Sequence, residues 1–257
     1  DEINRDLGFR DVRIDQGRLL LNGESVQIKG FGLHEDFPVL GKGQALAVTV
    51  KDLELLRWCG GNSFRTSHYP YAEETLDLAD ALGLLVISEC ASVNLDFRRT
   101  TDATLEQHIA HIERLIERDH WHPSVIAWSL TNEPGYLAEA EYKHAAPGYF
   151  AELFAAARVL DSTRPFTAAN VGSRHGLIDP LYAHCDFLSL NRYLGWYENP
   201  AQLDVAIAKL RDEFDALAAA FPDKPIFVSE FGADAVAGMH SSTDQLFSEE
   251  YQSELIA

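Results

Sequence analysis

Cysteine is scarce. Cys59, Cys90 and Cys185 are the three in 257 residues, and none has the paired spacing of a zinc site or a redox motif. Structural thiols in a reducing compartment are the expected reading. Positive charge is scarce as well: 21 Lys and Arg face 40 Asp and Glu, a formal charge of −19. Such a chain repels nucleic acid and anionic membrane surfaces, so neither is an expected partner. No apolar run reaches the ~18 residues that a bilayer crossing needs, so no membrane role is expected. There is no N-x-S/T sequon, and the opening DEINRDLGFRDVRI has no apolar signal core. Any secretion signal would lie upstream, and the reading is a cytoplasmic origin. The sequence has no G-x-S-x-G, no Gly-rich phosphate loop and no Cys/His pairing, which removes the common serine, nucleotide and thiol chemistries.

What is there is a regular alternation. Seven apolar, β-branched segments, VQIKGFGLHED, NSFRTSHYP, LLVISEC, VIAWSLTNEP, PFTAAN, DFLSLNRY and KPIFVSEFG, read as strands. Between them lie helical segments: VKDLELLRWCG, AEETLDLADALG, a long one from about Asp102 to Asp119, YFAELFAAARVL and DVAIAKLRDEFDALAAAF, with Gly or Pro near several ends. Alternation argues a parallel sheet covered on both faces. Ahead of it, RLLLNGESVQI reads as a hairpin turning at Asn22-Gly23, where both residues tolerate positive φ, placed to plug or flank the sheet.

Each strand is apolar and then turns polar at its C-terminal end. The ends carry His34, Glu35 and Asp36; Arg65 and His68; Glu89; Asn132 and Glu133; Asn170; Asn191, Arg192 and Tyr193; and Glu230. A doubly wound sheet uses one crevice at its switch point. Polar residues at every strand end favour a (β/α)8 barrel, whose chemistry sits on that rim.

Glu133 in SLTNEP and Glu230 in IFVSEFG each end a strand directly. Facing carboxylates suit glycosidic cleavage, one a general acid with a raised pKa, the other an ionised nucleophile. A lone Glu at a loop start is ordinarily a surface residue, but these two have neighbours that would tune them. The Asn132 amide can bond the sugar hydroxyl beside the reacting carbon. Arg65 can hold Glu230 ionised, and Tyr193 can orient it. Trp196 and Tyr197 can stack on a pyranose ring or serve as anchors. His108-x-x-His111 has helical spacing, yet without a third ligand two solvated histidines are expected, and no metal.

These same stretches resemble glycoside hydrolase family 2, and within it the β-glucuronidases: GFGLHED with the following GKG, GNSFRTSHYPYAEE, HPSVIAWSLTNEP, LNRYLGWY and SEFGADAVAGMHS. The likeness runs in order over nearly the whole chain. It implies a retaining β-glycosidase on a TIM barrel, with Glu133 as acid/base and Glu230 as nucleophile. Asn132, Tyr193, Tyr197 and His34 would line the sugar site, with no metal or organic cofactor, although the related β-galactosidases use magnesium. The implied substrate is a small-molecule or oligosaccharide β-glycoside, and a homo-oligomer is allowed.

The likeness also frames the expected extent. Asp1 to Arg10 reads as a linker tail from a preceding immunoglobulin-like domain, and 11–257 as the barrel without its eighth strand. The family's Asn-x-Lys motif beyond that strand, which grips the sugar carboxylate, is not in the sequence. Leu33 stands where relatives often have Arg, and the short CASVNLDFRRTTDATLEQH leaves no long loop over the site. The rival readings are a β-galactosidase or β-galacturonidase, and an inactive barrel fragment that only binds sugar or associates.

Overall fold

Each of the seven apolar segments becomes a parallel strand. The computed structural model describes residues 7–136, 139–171, 179–243 and 245–257, so residues 1–6 of the expected linker lie outside the described residues. A small antiparallel sheet comes first: β1 (Val12–Asp15), β2 (Arg18–Leu21) and β3 (Glu24–Ser25). There follow β4 (Gly30–Leu33), α1 (Leu46–Trp58), β5 (Ser63–Thr66), α2 (Glu73–Leu82), β6 (Leu85–Glu89), α3 (Asp102–Asp119) and β7 (Val125–Asn132). The chain continues through α4 (Glu139–Leu160), β8 (Phe166–Val171), β9 (Leu188–Asn191), α5 (Leu203–Ala220), β10 (Ile226–Glu230) and α6 (Glu249–Ile256). β4 to β10 form one sheet in chain order, all neighbours parallel. Every connection therefore crosses to the adjacent strand, which winds the sheet toward a barrel. This is the wall of a (β/α)8 TIM barrel with seven parallel strands among the described residues, β4 and β10 at its edges.

Burial on both faces explains the continuous apolar strands. All eight residues of β7 are buried, and Phe64, Val86, Trp128 and Leu130 point outward into a cluster with Ile112, Leu115 and Phe150 of the helix layer. Leu33 packs against the same cluster, so it turns away from the barrel interior. α3 begins with a Thr101–Thr104 capping box, and α2 stops at Gly83, whose φ of 69° few other residues adopt. α4 starts ten residues earlier than the YFAELFAAARVL periodicity suggests and runs through Pro147. Proline costs a helix interior ~3 kcal/mol. Burial of Tyr142, Tyr149 and Phe150, at ~1.5–3 kcal/mol for each large side chain, outweighs that.

The small sheet lies across the floor of the barrel, with a cavity of about 470 Å³ between it and the strand entrances. Its second turn is the expected one, with Asn22 at φ 53° and Gly23 at φ 85° joining β2 to β3 antiparallel. β1 was not legible: it is four residues long and turns at Gln16-Gly17 (φ 49° and 70°), and Gln is not among the favoured hairpin residues. Ile14 and Ile28, with Phe227 of β10, pack beneath the barrel against Ile87, Ala127 and Phe187.

Asp161 fastens the strand entrances. It accepts bonds from Trp128 Nε1 at 2.9 Å and Arg164 Nη1 at 2.6 Å, while Arg164 Nε reaches Val125 O at 2.7 Å. Although burial works to raise its pKa, bonds from Thr163, Trp128 and Arg164 bring it down to about 2. Removing one partner of such a buried pair typically costs about 3–5 kcal/mol, so urea unfolding of Asp161→Asn should show a loss of that order at pH 7. Because the folded pKa is depressed, the stabilisation is present above the ordinary Asp range and disappears as pH falls from about 4 toward 2. A loss under ~1 kcal/mol at pH 7 would contradict this role.

Candidate active site

Side chains alternate between the barrel interior and the helix layer, and two irregularities break that alternation where it matters. In β6, Glu89 faces inward while Ser88 bonds Asp119 on α3. In β5, Arg65 faces inward while Phe64 joins the outer cluster. Strict period 2 would send Ser229 and Glu230 to opposite faces. The register of β10 on β9 shifts between Val228 and Glu230, and both side chains reach interior partners. The register of β7 on β8 likewise shifts between Ser129 and Asn132. Glu133 follows at φ 48°, held by its N–H donating to Ala169 O at 2.8 Å. Bulges re-aim side chains in this way beside functional sites.

Glu230 is gripped by a cation and a hydroxyl. Arg65 Nη2 donates to its Oε1 at 2.5 Å, and the Tyr193 hydroxyl donates to its Oε2 at 3.0 Å. Arg65 is buried and also donates to Glu89 at 2.6 Å. Burial alone would lower the Arg65 pKa, but the charges of Glu89 and Glu230 outweigh it and raise the value. Glu89 is fully buried and further takes bonds from Ser129 and from His68 Nδ1, each at 2.7 Å. Its desolvation is overcome by Arg65 and His68, which hold its pKa below the usual carboxylate range. His68 Nε2 then lies 3.6 Å from Glu230. Tyr193 is pushed well above the ordinary tyrosine range by burial and by the charge of Glu230.

Glu133 has the opposite setting. It is half-buried, and its polar contact is an amide: Asn191 Nδ2 donates to Oε1 at 2.9 Å. Desolvation is the largest influence and raises its pKa; Glu230 adds to the rise, while the Asn191 bond works against it. Asn191 also donates to Asn132 Oδ1 at 3.1 Å and accepts from Ser229 Oγ at 2.7 Å. Ser229 thereby fixes which end of the Asn191 amide meets Glu133. The segment after β6 buttresses Asn132, whose N–H reaches Ser92 O at 2.8 Å and whose carbonyl accepts from Asn94 at 2.9 Å.

A cavity of about 680 Å³ includes His34, Arg65, His68, Tyr193, Trp196 and Tyr197 together with Glu230. His34 sits at the rim, 3.4 Å from the Tyr69 hydroxyl, its pKa lowered by burial and by His68. Tyr197 is 74% exposed and lies 4.9 Å, centroid to centroid, from Tyr193. Other strand-end residues turn elsewhere. Glu35 takes the N–H of Ala72 and the hydroxyl of Thr75 at the start of α2. Asn170 bonds Asp179 and Tyr182, and Arg192 pairs with Glu213 on α5.

His108 is not a solvated histidine. It lies on the α3 stripe with Ile112 and Leu115 and bonds Leu130 O at 2.8 Å and the Tyr149 hydroxyl at 3.0 Å. Among the described residues one group, Asp77, Asp80 and His122, brings potential metal ligands together. There His122 Nδ1 already lies 2.7 Å from Asp80, whose other oxygen accepts from Ser124 N–H.

Residues 12–257 match the domain family described as glycosyl hydrolases family 2, TIM barrel domain. The chain belongs to that family. Among its family 2 relatives it is 40% identical over 272 residues to a β-glucuronidase of Paenibacillus borealis, covering 100% of this chain and 43% of the relative. It is 38% identical to that of Rattus norvegicus, covering 97% and 38%. The solved structure of a Ruminococcus gnavus β-glucuronidase in complex with D-glucuronic acid superposes with a TM-score of 0.88 at 43% identity, covering 97% of this chain and 42% of that one. The chain thus spans less than half the length of the relatives it matches.

Asn191, His68 and Glu89 are the site residues whose roles the sequence reading left open. They stand at strand ends like the others, but only packing across the barrel reveals their partners. Since the Asn191 bond favours the charged form of Glu133, Asn191→Ala should raise the Glu133 pKa further. Carboxyl-carbon NMR of 13C-labelled glutamate would read this shift; a value that holds or falls contradicts the geometry.

Proposed function

We propose that this chain is the catalytic barrel of a retaining β-glycosidase, acting on terminal β-D-glucuronides. The observation that carries the reading is the unlike setting of two strand-end carboxylates. Glu133 is half-buried with a raised pKa and an amide partner, while Glu230 is paired with a guanidinium. An acid and a nucleophile need that division. Glu230 opens on a cavity of about 680 Å³ that also carries His34, Tyr193, Trp196 and Tyr197, within the size range of small-molecule pockets.

In the first step a Glu230 oxygen attacks the anomeric carbon as the bond to the aglycone oxygen breaks, and Glu133 gives its proton to that oxygen. The products are an ester between sugar and Glu230 and a free alcohol. In the second, Glu133, now ionised, takes a proton from water; the resulting oxygen attacks the anomeric carbon, the ester breaks, and both carboxyls return to their starting states. Two inversions give net retention. Arg65 and the Tyr193 hydroxyl hold Glu230 in line and accept its charge as it leaves. Asn132 has its Oδ1 occupied by Asn191, so its amide N–H groups are what it offers to the sugar hydroxyl next to the reacting carbon. Tyr197 and His34 border the ring.

The preference for glucuronate is supported by relatives named as β-glucuronidases. Hydrolysis of nitrophenyl β-glucuronide against nitrophenyl β-galactoside by the full-length protein tests it, with glucuronide expected to lead; equal or reversed preference refutes it. Because Glu133 must start protonated, its raised pKa carries the basic limb of kcat/KM above the usual carboxylate range. Glu133→Ala should lose about 10²–10⁴-fold on substrates with poor leaving groups. With the nitrophenyl substrate, added azide should restore turnover and yield the β-configured glycosyl azide. No azide product, or one of α configuration, would reassign Glu133.

A further inference from the structure

Tyr193 reaches Glu230 from a loop, and a loop by itself is a poor support for a bond on which orientation depends. The loop leaves β9 and turns at Tyr193–Glu198, with Gly195 N–H donating to Glu198 O at 2.7 Å and Tyr197 N–H to Tyr193 O at 2.9 Å. Its outer side rests on α6 and the segment leading to it. Tyr251 of α6 is fully buried. Its hydroxyl donates to Gly195 O and accepts from Ala201 N–H at 3.0 Å, so one oxygen ties together two points of the loop six residues apart. Gly195 sits at φ 89°, and a Cβ there would lie 2.9 Å from Leu203 and 3.2 Å from Leu255, which shows how closely the loop is pressed between α5 and α6.

A second contact lies on the same side. Phe247 meets Trp196 edge to face at 4.9 Å and does so at φ 70°, a backbone region that sterics disfavour for a bulky residue. Val236 N–H holds it there, donating to Phe247 O at 2.9 Å. Tyr251 is placed in turn by Ser248, whose hydroxyl accepts the Tyr251 N–H at 3.1 Å. Gln252 on the next position anchors α6 to Ala233 O at 2.7 Å, just beyond Glu230.

We infer that Tyr251 is a positioning residue for the nucleophile: by clamping Gly195 and Ala201 it holds the loop where the Tyr193 hydroxyl meets Glu230, with Phe247 steadying the neighbouring Trp196. Neither residue lines the barrel interior beside the carboxylates, and the inference rests on the assignment of Glu230 as nucleophile. A clamp of this kind acts on geometry. Displacing a catalytic group by about 1 Å can cost on the order of 10²-fold in rate.

Two readouts in the full-length protein test this. In kinetics, Tyr251→Phe should lower kcat about 10–10²-fold with KM unchanged, and Tyr193→Phe/Tyr251→Phe should lose no more than Tyr193→Phe alone, because both changes undo one contact. In 13Cζ-tyrosine NMR, with Tyr193→Phe identifying the signal, Tyr193 should ionise far above the ordinary ~10 in the wild type and fall toward it in Tyr251→Phe. Losses that multiply, or a Tyr193 titration unmoved by Tyr251→Phe, overturn the inference. If the wild type hydrolyses no glycoside, the titration still decides the clamp while the proposed activity fails separately. Should Tyr251→Phe not fold, Phe247→Ala, at a partly exposed position, carries the same two readouts, with the same directions expected.

Discussion

The buried guanidinium of Arg65 is the constraint around which the site is arranged. Two carboxylates, Glu89 beneath and Glu230 above, share it at 2.6 and 2.5 Å. Taking three charges out of water is unfavourable unless each is fully met by partners. Here Glu89 also has Ser129 and His68, and Glu230 has Tyr193, while the buried Arg65 Nε is left without a hydrogen-bond partner among the described residues. The arrangement is held electrostatically: moving Glu230 away would cost the buried Arg65 one of its two carboxylate partners and leave it paired with Glu89 alone. A carboxylate held in this way spends little free energy on finding its orientation, as its proposed role as nucleophile requires.

The opposite carboxyl depends on what is withheld from it. Glu133 has no guanidinium among its described contacts; its bond is to the Asn191 amide, and desolvation therefore governs its protonation. Both carboxylates emerge from strand ends whose regular pairing is interrupted. The interruptions let successive residues, Asn132 with Glu133 and Ser229 with Glu230, reach interior partners together. Asn191 then joins the two halves, since it bonds Asn132, Glu133 and Ser229 and pairs with Glu230 across the β9–β10 ladder.

Much of this was legible in the sequence because period and polarity coincide in a barrel. Seven apolar segments with polar ends predict seven strands and a functional rim, and they also pick out Glu133, Glu230, Arg65 and Tyr193. Period alone could not say which polar end faces inward. Glu35, Asn170 and Arg192 resemble the site residues in position, yet one caps a helix and the other two bond outward. The bulges that reverse such choices leave no trace in composition. Nor did His108 betray its burial, since it occupies a core stripe while keeping both ring nitrogens bonded. β1 escaped because it is short and turns on glutamine.

The chain carries a formal charge of −19, which opposes the approach of an anionic sugar at long range. The cavity lining mixes Lys29 and Arg65 with Glu230 and Asp234, and Lys42 stands 4.5 Å from the centre of the Tyr69 ring beside His34. Screening at physiological salt weakens repulsion beyond about 8 Å, so Lys42 and the other charges at the rim weigh more than the net charge once an anionic ligand is there. The division of labour between the two carboxylates is the central claim, and trapping the glycosyl intermediate tests it most directly. A 2-deoxy-2-fluoro-β-glucuronosyl fluoride should inactivate the full-length protein, and peptide mass spectrometry should find the sugar esterified to Glu230. An adduct on Glu133, or on any other residue, would contradict the account.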